Sequence, residues 1–305
     1  MTGRYGTPRA FEQALKAKLK ERIRDRGGDF NRMLQTLLFE RFLVRLYEAL
    51  GEAVIVKGGL AMELRLTKAR TTRDVDLRVE GDLDDLVHRI RLEAARQGDD
   101  FLTFDLGSET DFRELLGEQV VYGGRRITVQ ARLAGKRFGG PFRLDLSLGD
   151  RILTEPETTS GTDLLEFAEI APVVHRIYPA PAHVAEKLHA LTIERDSPNS
   201  RVKDLIDVGL LASNVDFDAE VLHQAIIATF EFRGTHELPD RLPSPPEFWA
   251  DRYESIRERD SETVPWETLE ELQTLASRFL NPILSSTARL PARWSPLEHR
   301  WREQS

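Results

Sequence analysis

The chain has 305 residues, 40% hydrophobic and 31% charged, with a formal net charge of −8 at pH 7. That length exceeds one small core and predicts two lobes, while the composition is that of a soluble globular protein. The acidic balance argues against a general nucleic-acid coat protein. No apolar run approaches a membrane span, the N-terminus lacks a signal-peptide pattern, and the absence of cysteine excludes disulfides and thiolate metal sites and fits the cytoplasm.

The predicted elements begin with two helices. Arg4 to Arg26 is basic, carries Phe11, Leu15, Leu19 and Ile23 at helical spacing, and ends at Gly27-Gly28, so its apolar stripe is expected on the core. A second, longer helix ends in FERFLVRLYEAL at 39–50. Ala53 to Val56 then makes a short apolar strand, followed directly by Lys57-Gly58-Gly59 and a helix-like Leu60 to Leu66. Strand, Gly-Gly, helix is a phosphate-cradling order, because glycines let the backbone approach and the first amides of a helix favour an anion. Gly-Gly also makes ordinary turns, so its weight comes from its position ahead of Asp74 and Asp76.

Asp74 to Val79 reads as a strand with Asp74, Asp76 and Arg78 on one face and Val75, Leu77 and Val79 on the other. Two carboxylates side by side repel unless a hard divalent cation sits between them, and Mg²⁺ takes one or two carboxylates together with substrate phosphates. A solvated acidic strand face is the plain alternative. Leu83 to Gln97 reads as a helix capped by Asp82, and strands near 101–106, 127–133 and 142–148 complete a mixed sheet. In the last of these Phe142, Leu144, Leu146 and Leu148 alternate with Arg143, Asp145 and Ser147, which puts Asp145 on the polar face. Three aspartates on one face would hold two Mg²⁺ ions roughly 3.5–4 Å apart. Otherwise Asp145 is an exposed aspartate paired with a neighbouring arginine.

No acidic residue separates Glu118 from Asp145, where Arg125, Arg126, Arg132, Lys136, Arg137 and Arg143 fall. A hairpin with Ile127, Val129, Ala131 and Leu133 inward and Ala134 to Pro141 exposed would bring RNA phosphates near Asp145 through Arg132, Lys136 and Arg137, or would simply be a solvated basic face. After Pro179 the pattern turns helical: Ala182 to Glu194, Arg201 to Leu211, Ala219 to Phe230, and Trp266 to Phe279, with prolines 239, 243, 245 and 246 marking a loop. His183 and His189 read as surface or packing residues. The division expected is a lobe of residues 1–172 and a mainly helical lobe of residues 173–305.

On Lys57-Gly58-Gly59, Arg70 through Asp76, Asp145 and AEKLHALTIERDSPNSRVKDLIDV at 185–208, the chain resembles the AbiEii/AbiGii family of nucleotidyltransferase toxins, part of the polymerase-β-like superfamily. The resemblance covers most of residues 30–211. It implies an α/β (α+β) fold, with a polymerase-β-like nucleotidyltransferase core around a mixed sheet and a C-terminal helical lobe. It also implies an Mg²⁺-dependent enzyme that moves NMP from an NTP to RNA, a tRNA 3′ end being the expected acceptor, with growth arrest and phage defence as the outcome and a cognate antitoxin as partner. Asp74, Asp76, Asp145, Lys187 and Asp204 would be catalytic, and Lys57, Gly58, Gly59, Arg70, Thr72 and Lys187 would contact nucleotide.

The physical chemistry is compatible with that assignment, since an ammonium beside a triphosphate neutralises charge on the leaving pyrophosphate. Asp204 would orient Lys187 or the nucleophile, and Asp207, on the same helix face, is a weaker candidate for that task. Spacing alone would make Lys187 a solvated lysine and Asp204 half of a surface ion pair. One departure matters: the superfamily has Gly-Ser nearer its Asp-x-Asp, whereas Gly59 holds the second position here, so phosphate contact would rest on backbone amides. The rival readings are NMP transfer to a protein hydroxyl and an inert RNA- or antitoxin-binding module. Thr71 and Thr72 stand just before Asp74; a phosphate there would add about −1.5 to −2 charges beside the aspartates and silence the enzyme, unless Thr72 only hydrogen-bonds locally.

Overall fold

The computed structural model describes residues 4–66, 72–116, 119–148, 152–193, 201–285 and 292–303. Arg70 and Thr71 lie outside the described residues. Helix α1 (Pro8–Arg26) starts where Thr7 accepts the Ala10 amide and Pro8 occupies the first turn, and α2 (Phe30–Leu50) starts where Asp29 accepts the Arg32 amide. Three short elements set up the site: β1 (Ile55–Lys57), α3 (Gly58–Arg65) and β2 (Asp74–Val79). After α4 (Leu83–Ala94), capped by Asp82 as expected, come β3 (Leu102–Leu116) and β4 (Gln119–Leu133).

The pair β3–β4 is a far longer hairpin than the alternation at 101–106 and 127–133 suggests. A register shift between Leu106 and Glu109 breaks the period-2 pattern there. β5 (Lys136–Arg137) and β6 (Phe142–Leu148) follow, then β7 (Glu157–Ser160) and β8 (Val174–Ile177). These strands form one mixed sheet of order β3-β4-β6-β2-β1-β8-β7, with β5 beside β4. β2 runs parallel to β6 and β1 parallel to β8; the other pairings are antiparallel. Because β8 pairs with β1, the sheet reaches past residue 172 to Ile177.

One face of this sheet is apolar and carries the first core. Val75, Leu77 and Val79 from β2 and Phe142, Leu144 and Leu146 from β6 are buried together with α1, α2 and α4. Phe142 meets Phe39 and Phe42 of α2 edge-on, at 5.0 and 5.4 Å between ring centroids. The opposite face presents the residues of the alternate register, Asp74, Asp76 and Asp145 among them. A second core is built by α5 (Ala180–Thr192), α6 (Val202–Asn214), α7 (Ala219–Arg233), α8 (Trp249–Arg259) and α9 (Leu269–Leu284), with Met62 of α3 and Leu66 packed into it. A small sheet of β9 (Phe217–Asp218), β10 (Arg293–Ser295) and β11 (Arg300–Arg302) closes it, and Trp294 donates from its indole nitrogen to the Ala212 carbonyl at the end of α6.

The two cores meet at the start of α5. Pro179 caps that helix without a side-chain acceptor, so Glu157 from β7 takes over and accepts the Ala180 amide at 2.8 Å. Glu157 also pairs with Arg65 at the end of α3, and Arg65 donates to the Tyr178 carbonyl. This joint orients α5 and all it carries relative to the Gly-Gly turn. No helix among the described residues is long and apolar enough to cross a membrane.

Candidate active site

The parallel register of β2 on β6 sets Asp76 directly opposite Asp145, and Asp74 opposite Arg143. Neighbouring strands extend the row: Lys57 on β1 stands opposite Asp76, and Arg126 on β4 stands opposite Asp145. The three aspartates predicted to share a face therefore do so, with the row Lys57, Asp76, Asp145, Arg126 crossing four strands. Arg143 grips Asp74 through two hydrogen bonds of 2.6 and 2.7 Å, and Arg126 grips Asp145 through two of 2.8 and 2.6 Å. Among the described residues no donor bonds the Asp76 carboxylate. Burial, with Asp145 and Asp74 as like-charged neighbours, pushes its pKa up to about 6 against the pull of Lys57 and Lys187.

The three-aspartate clamp expected for two Mg²⁺ ions is thus not preformed. Among the described residues no group of three acidic or histidine side chains could hold a metal ion, since two of the aspartates are turned to guanidinium forks. The donor set still fits a hard divalent cation. It is all oxygen, two of its carboxylates stand at the same register on neighbouring strands, and Asp76, to which no described residue donates, has a pKa raised by burial first and then by the like charges of Asp145 and Asp74, which a cation offsets.

The Gly-Gly turn lies against this row. Gly58 has a φ of +61°, and a Cβ built there would stand 2.0 Å from Asp76 Oδ2, so both conformation and space demand glycine. At Gly59 a Cβ would stand 2.6 Å from Thr72 Oγ1. This explains the departure from Gly-Ser: Thr72 already fills the corner a serine side chain would enter, and brings a hydroxyl to it. Thr72 precedes the strand rather than belonging to it; its amide donates to Glu63, and its hydroxyl lies 3.3 Å from the Asp74 carbonyl and 3.4 Å from the Asp74 amide. Its hydroxyl is engaged locally. Lys57 caps α3 without a side-chain hydrogen bond, leaving the first amides of the helix to other acceptors.

Across from the turn stand α5, α6 and α7. Lys187 on α5 is buried, with its ammonium 2.7 Å from Asp207 and 3.1 Å from Asp204 on α6. It is no solvated lysine, and Asp207, the weaker candidate from sequence, is fully buried and is the nearer partner. Lys57 pairs with Glu186 at 2.8 Å and lies 5.1 Å from the Tyr178 ring centroid. His183 and His189 are buried and help to line the cavity, so they are not surface residues. Burial, reinforced by the Lys187 ammonium, holds His183 neutral with a pKa well below the ordinary value.

A cavity of about 250 Å³ unites the two sides: Lys57, Gly58, Gly59, Asp76 and Ser147 line one wall, and Glu186, Lys187, Arg201, Asp204 and Arg233 the other. Sequence reasoning misses Glu186, Arg201 and Arg233; Glu186 adjoins Lys187 and Arg201 stands three residues before Asp204, but nothing local marks Arg233 at the end of α7. A larger cleft of about 780 Å³ opens on the Asp74 side, lined by Arg32, Thr72, Arg73, Asp74, Arg143, Lys203 and Arg259 together with Asp29, Asp260 and Glu262. Arg132, Lys136 and Arg137 lie in neither space. Arg132 is paired with Asp105 at 2.5 Å, and the other two are exposed on β5.

The profile of the nucleotidyl transferase AbiEii toxin family, of the type IV toxin–antitoxin class, matches residues 41–289. Among solved structures, the MenT4 nucleotidyltransferase toxin of Mycobacterium tuberculosis H37Rv superposes with a TM-score of 0.55 at 14% identity, over 90% of each chain. JHP933 of Helicobacter pylori aligns with a TM-score of 0.41 at 15% identity, over 82% of this chain and 90% of its own. No curated protein sequence matches.

Proposed function

The chain belongs to the AbiEii family of nucleotidyltransferase toxins, and we propose that it moves a nucleoside monophosphate from an NTP to an RNA hydroxyl, a tRNA 3′ end being the acceptor, in a Mg²⁺-dependent reaction that a cognate antitoxin restrains. One observation carries this reading: Lys187 of α5 lines the same small cavity as Gly58, Gly59 and Asp76. A triphosphate placed there meets the first amides of α3 on one side and a buried ammonium on the other.

In this assignment Gly58 and Gly59 bring backbone amides against the phosphates, where no side chain intervenes. Asp204 and Asp207 hold Lys187 in position, and its ammonium offsets the charge that grows on pyrophosphate as it leaves. Asp76, Asp145 and Asp74 would hold the divalent cation, which supplies charge neutralisation at the phosphates. The acceptor hydroxyl oxygen bonds to the α-phosphorus, the bond from that phosphorus to the bridging oxygen breaks, and the hydroxyl proton passes to the carboxylate row. The larger cleft gives the acceptor its approach: it is lined by Asp74 but not by Lys187, and it carries Arg32, Arg73, Arg143, Lys203 and Arg259.

The test is incubation of the purified chain with Mg²⁺, total tRNA and each labelled NTP in turn. Label on RNA with one nucleotide is the expected result. Label on protein would replace the acceptor by a protein hydroxyl, and no label with any NTP would leave an inert binding module.

A further inference from the structure

The carboxylates of Asp74 and Asp145 each have both oxygens engaged by a guanidinium, Arg143 through its Nε and Nη2 and Arg126 through the same two atoms. A two-toothed grip of this kind takes one lone pair on each oxygen and sets a guanidinium charge against the carboxylate, so a cation drawn to the same carboxylate meets fewer lone pairs and a like charge. The arginine side chains are 51% and 47% exposed, so they are held mainly by their partner aspartates, with the Phe112 ring centroid 5.8 Å from the Arg126 guanidinium as well. Asp74 is 28% exposed and Asp145 11%, so the Arg143 pair is the closer to a solvated one, which exceeds its separated alternative only a few-fold. Asp76 sits next to both pairs and has no donor among the described residues, which makes it the oxygen ligand that needs no exchange.

We propose that Arg126 and Arg143 are exchangeable counter-ions of the catalytic centre: each occupies its aspartate in competition with the divalent cation, and each turns to a substrate phosphate once the cation has taken that carboxylate. The inference rests on reading the centre as a cation-dependent nucleotidyltransferase site. It links two events chemically. Cation binding releases two guanidinium groups at the place where anionic substrate arrives, so cation and substrate reinforce each other's binding. Arg143 lines the larger cleft and meets acceptor phosphate. Arg126 lies one strand further along the row, beside Asp145. Both keep the bidentate geometry that suits phosphate as well as carboxylate.

The experiment measures Mn²⁺ binding to the full chain by electron paramagnetic resonance without substrate, for the wild type, Arg126→Gln, Arg143→Gln and the double variant. At saturating Mn²⁺ it then measures binding of an NTP analogue with a non-cleavable α–β bridge and, separately, of RNA. Each glutamine variant is expected to tighten Mn²⁺ about two- to five-fold while weakening phosphate-bearing ligands, with Arg143→Gln acting on RNA. Loss confined to the NTP analogue would move that contact to the donor. Unchanged or weaker Mn²⁺ binding, or substrate binding indifferent to both substitutions, overturns the exchange. Mn²⁺ binding that is insensitive to Asp76→Asn overturns instead the reading of the centre on which the inference rests.

Discussion

Two arginine–carboxylate clusters stand in the sheet-bearing lobe and balance their charge in opposite ways. At the first, Asp100 is fully buried between Arg41 and Arg45, accepting at 2.6 Å from one and at 2.5 and 2.7 Å from the other, with the Leu102 amide as a further donor. Burial alone would raise its pKa, yet the two guanidiniums, Arg45 foremost, bring it below the ordinary carboxylate value. At the second, three aspartates share two arginines, and Asp76 is left with a raised pKa. The residue types are the same; the ratio and the exposure differ. Where cations match or exceed carboxylates inside the core, the cluster fixes the fold, and where carboxylates exceed cations at a cavity, the surplus would, on the function proposed above, seat a mobile cation.

Asp76→Asn breaks the contrast between the clusters most sharply. Transfer should fall by about 10³-fold or more, because the row carboxylate that no described residue donates to is lost from the centre, while thermal melting should hold or rise. Near-normal turnover measured with labelled NTP would remove the Asp-x-Asp from the mechanism. Asp100→Asn should do the reverse. It leaves two buried guanidiniums without counter-charge and should cost about 3–5 kcal/mol in urea unfolding, with turnover per folded molecule unchanged.

The pH dependence sharpens the contrast, because the two shifts have opposite signs. Asp76 goes from an ordinary value of 3.8 to about 6 in the folded protein. Between those pH values the folded state binds more protons than the unfolded one, so stability falls as pH rises through the window. In EDTA at pH 7.5, Asp76→Asn should therefore exceed the wild type by up to about 3 kcal/mol, and the gain should vanish below about pH 4. Asp100, with a lowered pKa, contributes stability that is present above its unfolded value and is lost as pH falls. Urea titrations of both variants against pH check the pair of slopes; parallel curves would contradict the assignment of opposite roles.

Much of the site can be read from alternation. Asp74, Asp76 and Asp145 fall on the polar faces of β2 and β6 because Val75, Leu77, Leu144 and Leu146 claim the other faces. What alternation cannot supply is register, and register decides that Asp76 meets Asp145 and that Arg126 and Arg143 sit beside the carboxylates. The burial of Lys187, Asp207 and His183 escapes the sequence, since a polar residue on a helix reads as solvated until the facing element is known. β7 and β8 escape it because four-residue strands such as Glu157–Ser160 are too short and polar to show a period. Helix α8 is legible in the spacing of Trp249, Tyr253 and Ile256, but the prolines just before it draw the segment into a loop.

A third arginine–carboxylate pair marks the weak end of the series and bears on the basic hairpin. Arg132 and Asp105 pair at 2.5 Å with side chains 39% and 51% exposed, and Arg132 lies on the same strand as Arg126, about 20 Å away at the usual rise per strand residue. So exposed a pair should matter little to the fold: Arg132→Ala is expected to shift stability by no more than about 0.5 kcal/mol. Its neighbours Lys136 and Arg137 on β5 are exposed cations that line neither cavity, and on the proposed function they would bear on affinity for a long acceptor rather than on chemistry. Reversing both to glutamate should weaken RNA binding uniformly across sequences and flatten its salt dependence by about one unit of log–log slope for each phosphate no longer neutralised, leaving turnover on a short RNA end intact. An unchanged affinity and slope, measured by anisotropy across a salt series, would reduce the hairpin to a solvated face and leave the larger cleft to carry the acceptor alone.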